Sequence, residues 1–91
     1  MRKIARVDAN QSEIVEALRK AGASVCFTHQ LGKGVPDILV GVNGRNYLLE
    51  IKTSFGTLTP DERDWHEAWR GQVCVVRNVE EALAVTGLVG T

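Results

Sequence analysis

Three side chains able to do acid, base or metal chemistry sit in two neighbouring segments. These are Asp37 in Gly34-Val35-Pro36-Asp37-Ile38-Leu39-Val40, and Glu50 and Lys52 in Tyr47-Leu48-Leu49-Glu50-Ile51-Lys52. Paired carboxylates, helped by a backbone carbonyl, are hard oxygen ligands of the kind Mg²⁺ or Mn²⁺ takes. A metal so held lowers the pKa of a bound water and stabilises charge on a phosphoryl oxygen. A nearby Lys can orient or deprotonate the attacking water and offset the charge that develops. On spacing alone, a surface hairpin carrying a Glu–Lys pair worth about 0–1 kcal/mol explains the trio equally well.

The elements that would position the trio can be read from the flanking residues. Successive strand side chains alternate in direction, so Glu50 and Lys52 share one face and Leu49 and Ile51 the other. Strands over residues 37–42 and 46–53 are joined by Asn43-Gly44, a strong hairpin signal because both residues tolerate positive φ. That hairpin brings Asp37 opposite the Glu50–Lys52 region.

Ahead of it, residues 10–21 have the pattern of an amphipathic helix. Asn10 is placed as its N-cap, Glu13 as the capping-box partner and Gly22 as its stop, with Ile14, Val15, Leu18 and Ala21 on one face. Residues 24–29 read as a strand and 30–36 as a loop. Beyond the hairpin, Thr59 caps a helix that has Pro60 at its first position and Glu62 in a capping box, and that runs to Gly71. A strand over 72–77 follows. Asn78 then caps a last helix, with Glu81 third, ending near Gly87. The order α-β-β-β-α-β-α implies an α/β fold with a mixed sheet flanked by helices, in one domain over residues 1–91.

Composition sets outer bounds. The chain has 91 residues, 44% hydrophobic and 24% charged, as expected of one ordinary globular domain. No apolar run approaches the roughly 18 residues of a membrane span, and no apolar stretch follows the basic start Met1–Arg6, so a cytoplasmic location is expected. Net charge is zero, from 11 basic and 11 acidic residues. The charges are nevertheless unevenly placed. Residues 1–52 hold eight basic and five acidic side chains and residues 53–91 three and six, or +3 against −3. A polyanionic partner therefore stays open. Cys26 and Cys74 lie in β-branched runs without metal-ligand spacing and are expected to be buried, reduced thiols.

At these residues the chain resembles the PD-(D/E)xK nuclease superfamily, and within it the small stand-alone VRR-NUC domains of phage and bacterial type. The resemblance runs from Asp8-Ala9-Asn10-Gln11 through Gly32-Lys33-Gly34-Val35-Pro36-Asp37, Glu50-Ile51-Lys52, Leu58-Thr59-Pro60 and Trp65-His66 to Val75-Val76-Arg77. It implies a restriction-endonuclease-like core in which Asp37, Glu50 and the Ile51 carbonyl bind Mg²⁺ or Mn²⁺ and Lys52 acts on the nucleophilic water. Relatives usually add an acidic residue from the first helix, and that position falls on Gln11. At 100° per residue Gln11 lies on the Ile14, Val15, Leu18 face, whereas Glu13 points almost the opposite way. Gln11 departs from the family pattern, since a neutral amide gives up one negative charge; one tightly held metal is the expectation.

The resemblance further implies a metal-dependent DNA endonuclease, selective for branched DNA such as Holliday junctions and acting as a homodimer in a bacterial host cell, with a phage-encoded chain as one source. The alternatives are a non-catalytic DNA-binding or assembly module with the same fold, or a nuclease subunit that needs a partner protein. Lys33, between two glycines, and Gly34 are placed to meet a DNA phosphate, with Gln30 and His29 close by. Trp65 and Trp69, one turn apart, are expected to pack in the core or a dimer interface rather than on bases. Glu62 is explained equally by capping and by a position facing the site. His66 reads as a surface residue or one behind the site. Arg2, Lys3 and Arg6 could form a phosphate-binding arm.

Overall fold

The structure is a computed structural model and describes residues 9–88; the basic arm of Arg2, Lys3 and Arg6 lies outside them. Helix α1 (Ala9–Lys20) leads into strand β1 (Ser24–Phe27) and a short 3-10 turn, His29–Leu31. Strands β2 (Ile38–Val42) and β3 (Arg45–Ile51), helix α2 (Pro60–Ala68), strand β4 (Cys74–Val76) and helix α3 (Val79–Val85) follow. The sheet order is β1-β2-β3-β4; the first three strands are antiparallel, and β4 runs parallel to β3 after the α2 crossover. The expected order and mixed sheet are both present.

The β2–β3 hairpin turns on two residues, with Asn43 at φ 54° and Gly44 at φ 75°, and Val42 pairs with Arg45. Two positive φ values in a two-residue loop match the twist of the flanking strands and fix the register. Ile38 therefore pairs with Leu49 and Val40 with Tyr47. Leu49 and Ile51 turn inward with Ile38, Val40 and Val76, and Ile14, Val15 and Leu18 of α1 and Ala82 of α3 close over them. By strand alternation Glu50 and Lys52 leave this core on the other face.

Several boundaries differ from expectation, each because a side chain takes a backbone partner. Asn10 is not a cap: α1 already includes Ala9, and the Asn10 amide donates to the carbonyls of Lys52 at 3.0 Å and Arg77 at 3.4 Å. Its Oδ1 is buried without a partner, so no capping box forms with Glu13, which is exposed. Ala21 is also exposed, in the turn beyond the helix. Strand β4 is shorter than 72–77 at both ends. The Gln72 side chain extends the ladder in place of backbone, accepting from Leu48 N at 2.7 Å, and Arg77 N donates to Glu81 Oε1 at 2.7 Å. Helix α2 stops at Ala68, where Trp69 turns extended and its indole stacks on Trp65 with centroids 4.5 Å apart.

That stack lies outside the buried core, and Trp69 is exposed. Cys26 is exposed and Cys74 half-buried, contrary to the buried thiols expected. On the edge strand β1, the alternation that packs Val25 against the core turns Cys26 outward. The two thiols sit on opposite edges of a four-stranded sheet. Strands about 4.8 Å apart hold them well beyond the roughly 7 Å limit for a disulfide.

Candidate active site

Topology gathers the chemical residues at one end of the sheet. Phe27 at the end of β1 pairs with Ile38 at the start of β2, Ile38 with Leu49 of β3, and Ile51 at the end of β3 with Val76 of β4. The segments entering β2 and leaving β1, β3 and β4 thus share an edge, and the Asn10 amide ties the first turn of α1 to the same edge. Asp37 immediately precedes β2, Glu50 lies in β3 and Lys52 follows it directly.

Asp37, Glu50 and Lys52 come together as the hairpin register requires. Asp37 Oδ2 accepts from the Ile51 amide at 2.7 Å, which locks the first carboxylate against the strand of the second. Glu50 is only 2% exposed and its Oε1 has no hydrogen-bond partner. Lys52 Nζ stands 3.7 Å from Glu50 Oε2 and 2.8 Å from Glu62 Oε1. Glu62 therefore serves both readings of its sequence position. Its Oε1 accepts from Thr59 N at 2.9 Å, its own amide donates to Thr59 Oγ1 at 3.2 Å, and the same carboxylate reaches Lys52.

The electrostatics split the two glutamates. Burial, then the charges of Asp37 and Glu62 and a hydrogen bond with Asp37, push the Glu50 carboxyl up to about 9, although Lys52 pulls the other way. At neutral pH Glu50 therefore carries a proton beside Asp37. Burial works against the Lys52 ammonium, but the hydrogen bond and charge of Glu62, with Glu50 and Asp37 adding, hold its pKa above the ordinary lysine value. Burial likewise opposes ionisation of Glu62, yet Lys52 and the Thr59 hydrogen bonds hold it below the usual carboxylate range. His66, one turn along α2, is lowered by burial and by the Lys52 charge, and its Nε2 is buried without a partner.

These residues suit a divalent cation. Burial and the neighbouring Asp37 favour the protonated form of Glu50, and a buried Glu50 oxygen has spare acceptor capacity; a hard cation would replace the proton and satisfy that oxygen. Asp37, Glu50 and the Ile51 carbonyl are the oxygen donors that such an ion could take. Among the described residues no group of three or more His, Cys, Asp or Glu side chains gathers, so an ion here would need the carbonyl and water as well.

The other expected site residues are placed as follows. Gln11 and Gln30, with His29, line a groove of about 750 Å³ between α1 and β1. Arg19 and Phe27 line it too, the guanidinium 5.8 Å from the ring centre. Asp37, Glu50 and Lys52 are not among its walls. Lys33 is exposed at φ 54°. Gly34, at φ 83°, rests on the start of α2: a Cβ there would lie 2.3 Å from the Asp61 carbonyl oxygen. Sequence reasoning missed Arg77, whose guanidinium holds the segment after Lys52, and it misread Asn10 as a cap. The carbonyls they answer, at Lys52 and Arg77 for Asn10 and in the turn over residues 53–56 for Arg77, are distant in sequence.

No family model and no curated protein matches the sequence. A solved structure described as a VRR_NUC domain does match in three dimensions. The two superpose with a TM-score of 0.69 over 85% of this chain and 89% of the other, at 23% sequence identity. The four-stranded mixed sheet flanked by helices is therefore an architecture known from a solved structure, and this chain shares the fold of that VRR_NUC domain.

Proposed function

We propose that the chain is a metal-dependent DNA endonuclease that hydrolyses phosphodiester bonds, acting as a homodimer on branched DNA such as four-way junctions. The observation that carries this reading is the buried Glu50, with an unpartnered oxygen, next to the half-buried Asp37 and beside an ammonium group that contacts Glu50 and Glu62. Such an arrangement holds a carboxyl group whose proton a cation can replace, and it is hard to explain as a stabilising surface pair. The nuclease-type fold supports a DNA substrate. A small domain cannot wrap a duplex alone, and two-fold symmetry would offer two sites to two strands.

When bound to Asp37, Glu50 and the Ile51 carbonyl, Mg²⁺ or Mn²⁺ supplies the positive charge that acidifies a water and stabilises a phosphoryl oxygen. Asp37 keeps its place through the Ile51 amide, and Glu50 would hold the ion in its ionised form, its proton passing to solvent. Lys52, kept as an ammonium by Glu62, acts as a charged hydrogen-bond donor that orients the attacking water and shields the phosphoryl oxygens, rather than as a base. His66 lies behind the Glu62–Lys52 pair as a neutral imidazole. Lys33 reaches a phosphate and Gln30 the strand beside it, while Gly34 allows the loop to approach α2. Gln11 lines the neighbouring groove of α1 and adds no charge to the site.

The test mixes the purified protein with a labelled four-way junction, a flap and plain duplex, with and without Mn²⁺. Metal-dependent cutting of the junction is expected, and no cleavage of any substrate overturns the reading in favour of a non-catalytic module. Asp37→Ala and Lys52→Ala should each lower cleavage by about 10²–10³-fold or more while junction binding stays near wild type.

A further inference from the structure

Phe55 is 95% exposed, with Leu31, at 73%, the next most exposed large apolar side chain. A lone surface phenyl ring needs no explanation by itself. The turn beneath this one does. It is closed by a hydrogen bond from Gly56 N to Thr53 O at 3.1 Å. Arg77 then inserts its guanidinium under it, Nη1 donating to the carbonyls of Thr53 at 2.6 Å, Gly56 at 2.7 Å and Ser54 at 3.5 Å. Gly56 packs so closely that a Cβ there would lie 3.4 Å from Lys52 Cβ and 3.2 Å from Thr53 Oγ1. One arginine and a tight turn thus hold an apolar ring in water, next to the lysine of the site.

The position of the ring limits what it can meet. Two residues, Thr53 and Ser54, separate Phe55 from Lys52, at most about 10 Å of chain. That is about three base steps at 3.4 Å each along a DNA strand. Leu31 lies at the same end of the sheet, in the loop that leads to Asp37. A protein seated on this turn would cover the neighbourhood of Lys52, whereas a nucleic-acid strand engaged by Lys52 has its next bases within reach of the ring.

We propose that Phe55 is a base-stacking residue that selects DNA with an unstacked base beside the phosphate to be cut, the condition met at a branch point and not within uninterrupted duplex. This inference rests on the nuclease reading above. The turn fixes the backbone that carries the ring, so only its two side-chain torsions are ordered on stacking, and base–aromatic stacking is tolerant of sequence. Within continuous duplex the same contact would first require a base step to open.

The test compares wild type, Phe55→Ala and Phe55→Trp without metal, on a four-way junction carrying 2-aminopurine beside the branch and on plain duplex of the same sequence. Quenching of the probe by wild type is expected. Phe55→Ala should abolish it and weaken junction binding about ten- to a hundred-fold, while duplex affinity and thermal midpoint stay unchanged; Phe55→Trp should restore both. Equal junction binding by wild type and Phe55→Ala overturns the proposal. So does sedimentation showing that Phe55→Ala has dissolved a dimer, since the ring would then cover a second copy. Cleavage with Mn²⁺ separates the two ideas. If wild type cuts no DNA the nuclease reading falls first, and if Phe55→Ala cuts junctions as well as wild type only the stacking role falls.

Discussion

Helices α1 and α2 are built by similar local rules and held in opposite ways. Helix α1 buries Ile14, Val15 and Leu18 against the sheet and α3. Helix α2 has an N-cap, a complete capping box and Pro at its start, yet buries no side chain. Local signals make α2 a helix, and polar ties to the site place it: Glu62 on Lys52, and the backbone of Asp61 and Glu62 against Gly34. The element that shapes the candidate chemistry is thus the one least anchored in the core. Its position and that of the Lys52 ammonium depend on each other.

The largest effect should come from α1. Leu18→Ala opens a cavity among fully buried neighbours and should cost about 2–5 kcal/mol in urea denaturation, a large share of a small domain's stability. Glu62→Gln in α2 should cost no more than about 1 kcal/mol, because it weakens one partly exposed ion pair. The same change should still slow cleavage by freeing Lys52. Equal destabilisation by the two substitutions would show that α2 is part of the core after all.

What the sequence revealed follows the same division. The Asp37, Glu50, Lys52 trio was legible because Asn43-Gly44 fixes a register, and a register fixes which side chains meet. Thr59 and Asn78 were legible as caps because capping is local, and both side chains accept from the third residue of their helices. Asn10 has the same local pattern and was misread. Its amide answers buried carbonyls at Lys52 and Arg77 that are distant in sequence, and a donor of that kind is invisible to any local rule. Arg77 and Gln72 were missed for the same reason. Cys26 and Trp69 are apolar enough for a core, but whether a helix covers them depends on how the layers stack. The sequence pattern does not encode that.

A smaller, pH-dependent effect separates the two glutamates that share Lys52. In the folded metal-free chain Glu50 is raised from 4.5 to about 9. Its contribution to stability is complete below about pH 4.5 and is lost as pH rises through about 9. Glu62 is lowered, so its contribution is present above 4.5 and is lost as pH falls through its depressed value. Thermal melts should therefore show stability declining from pH 5 to pH 9, and Glu50→Gln should flatten the decline and gain most at pH 8 or above. Because a metal must displace the Glu50 proton, apparent Mn²⁺ affinity should rise by roughly tenfold per pH unit below about pH 9. Calorimetry in buffers of different ionisation enthalpy would register the released proton. A flat profile in both measurements would mean that Glu50 is already ionised.

A local change at Gly34 tests the seat of α2 directly. Gly34→Ala places a methyl group 2.3 Å from the Asp61 carbonyl oxygen, at a φ of 83° that side chains seldom adopt. In a close-packed core such a clash would strain the whole fold. Here the helix that must yield has no buried side chain, so it can shift without opening the sheet. The substitution should cost about 1–2 kcal/mol, mostly for the backbone conformation. Hydrogen exchange should accelerate in residues 60–68 while β2 and β3 stay protected. Cleavage should fall more than stability does, because moving Asp61 and Glu62 draws the carboxylate away from Lys52. A Gly34→Ala protein that melts globally, with α1 and α2 exchanging together, would show that the two helices are held as one body.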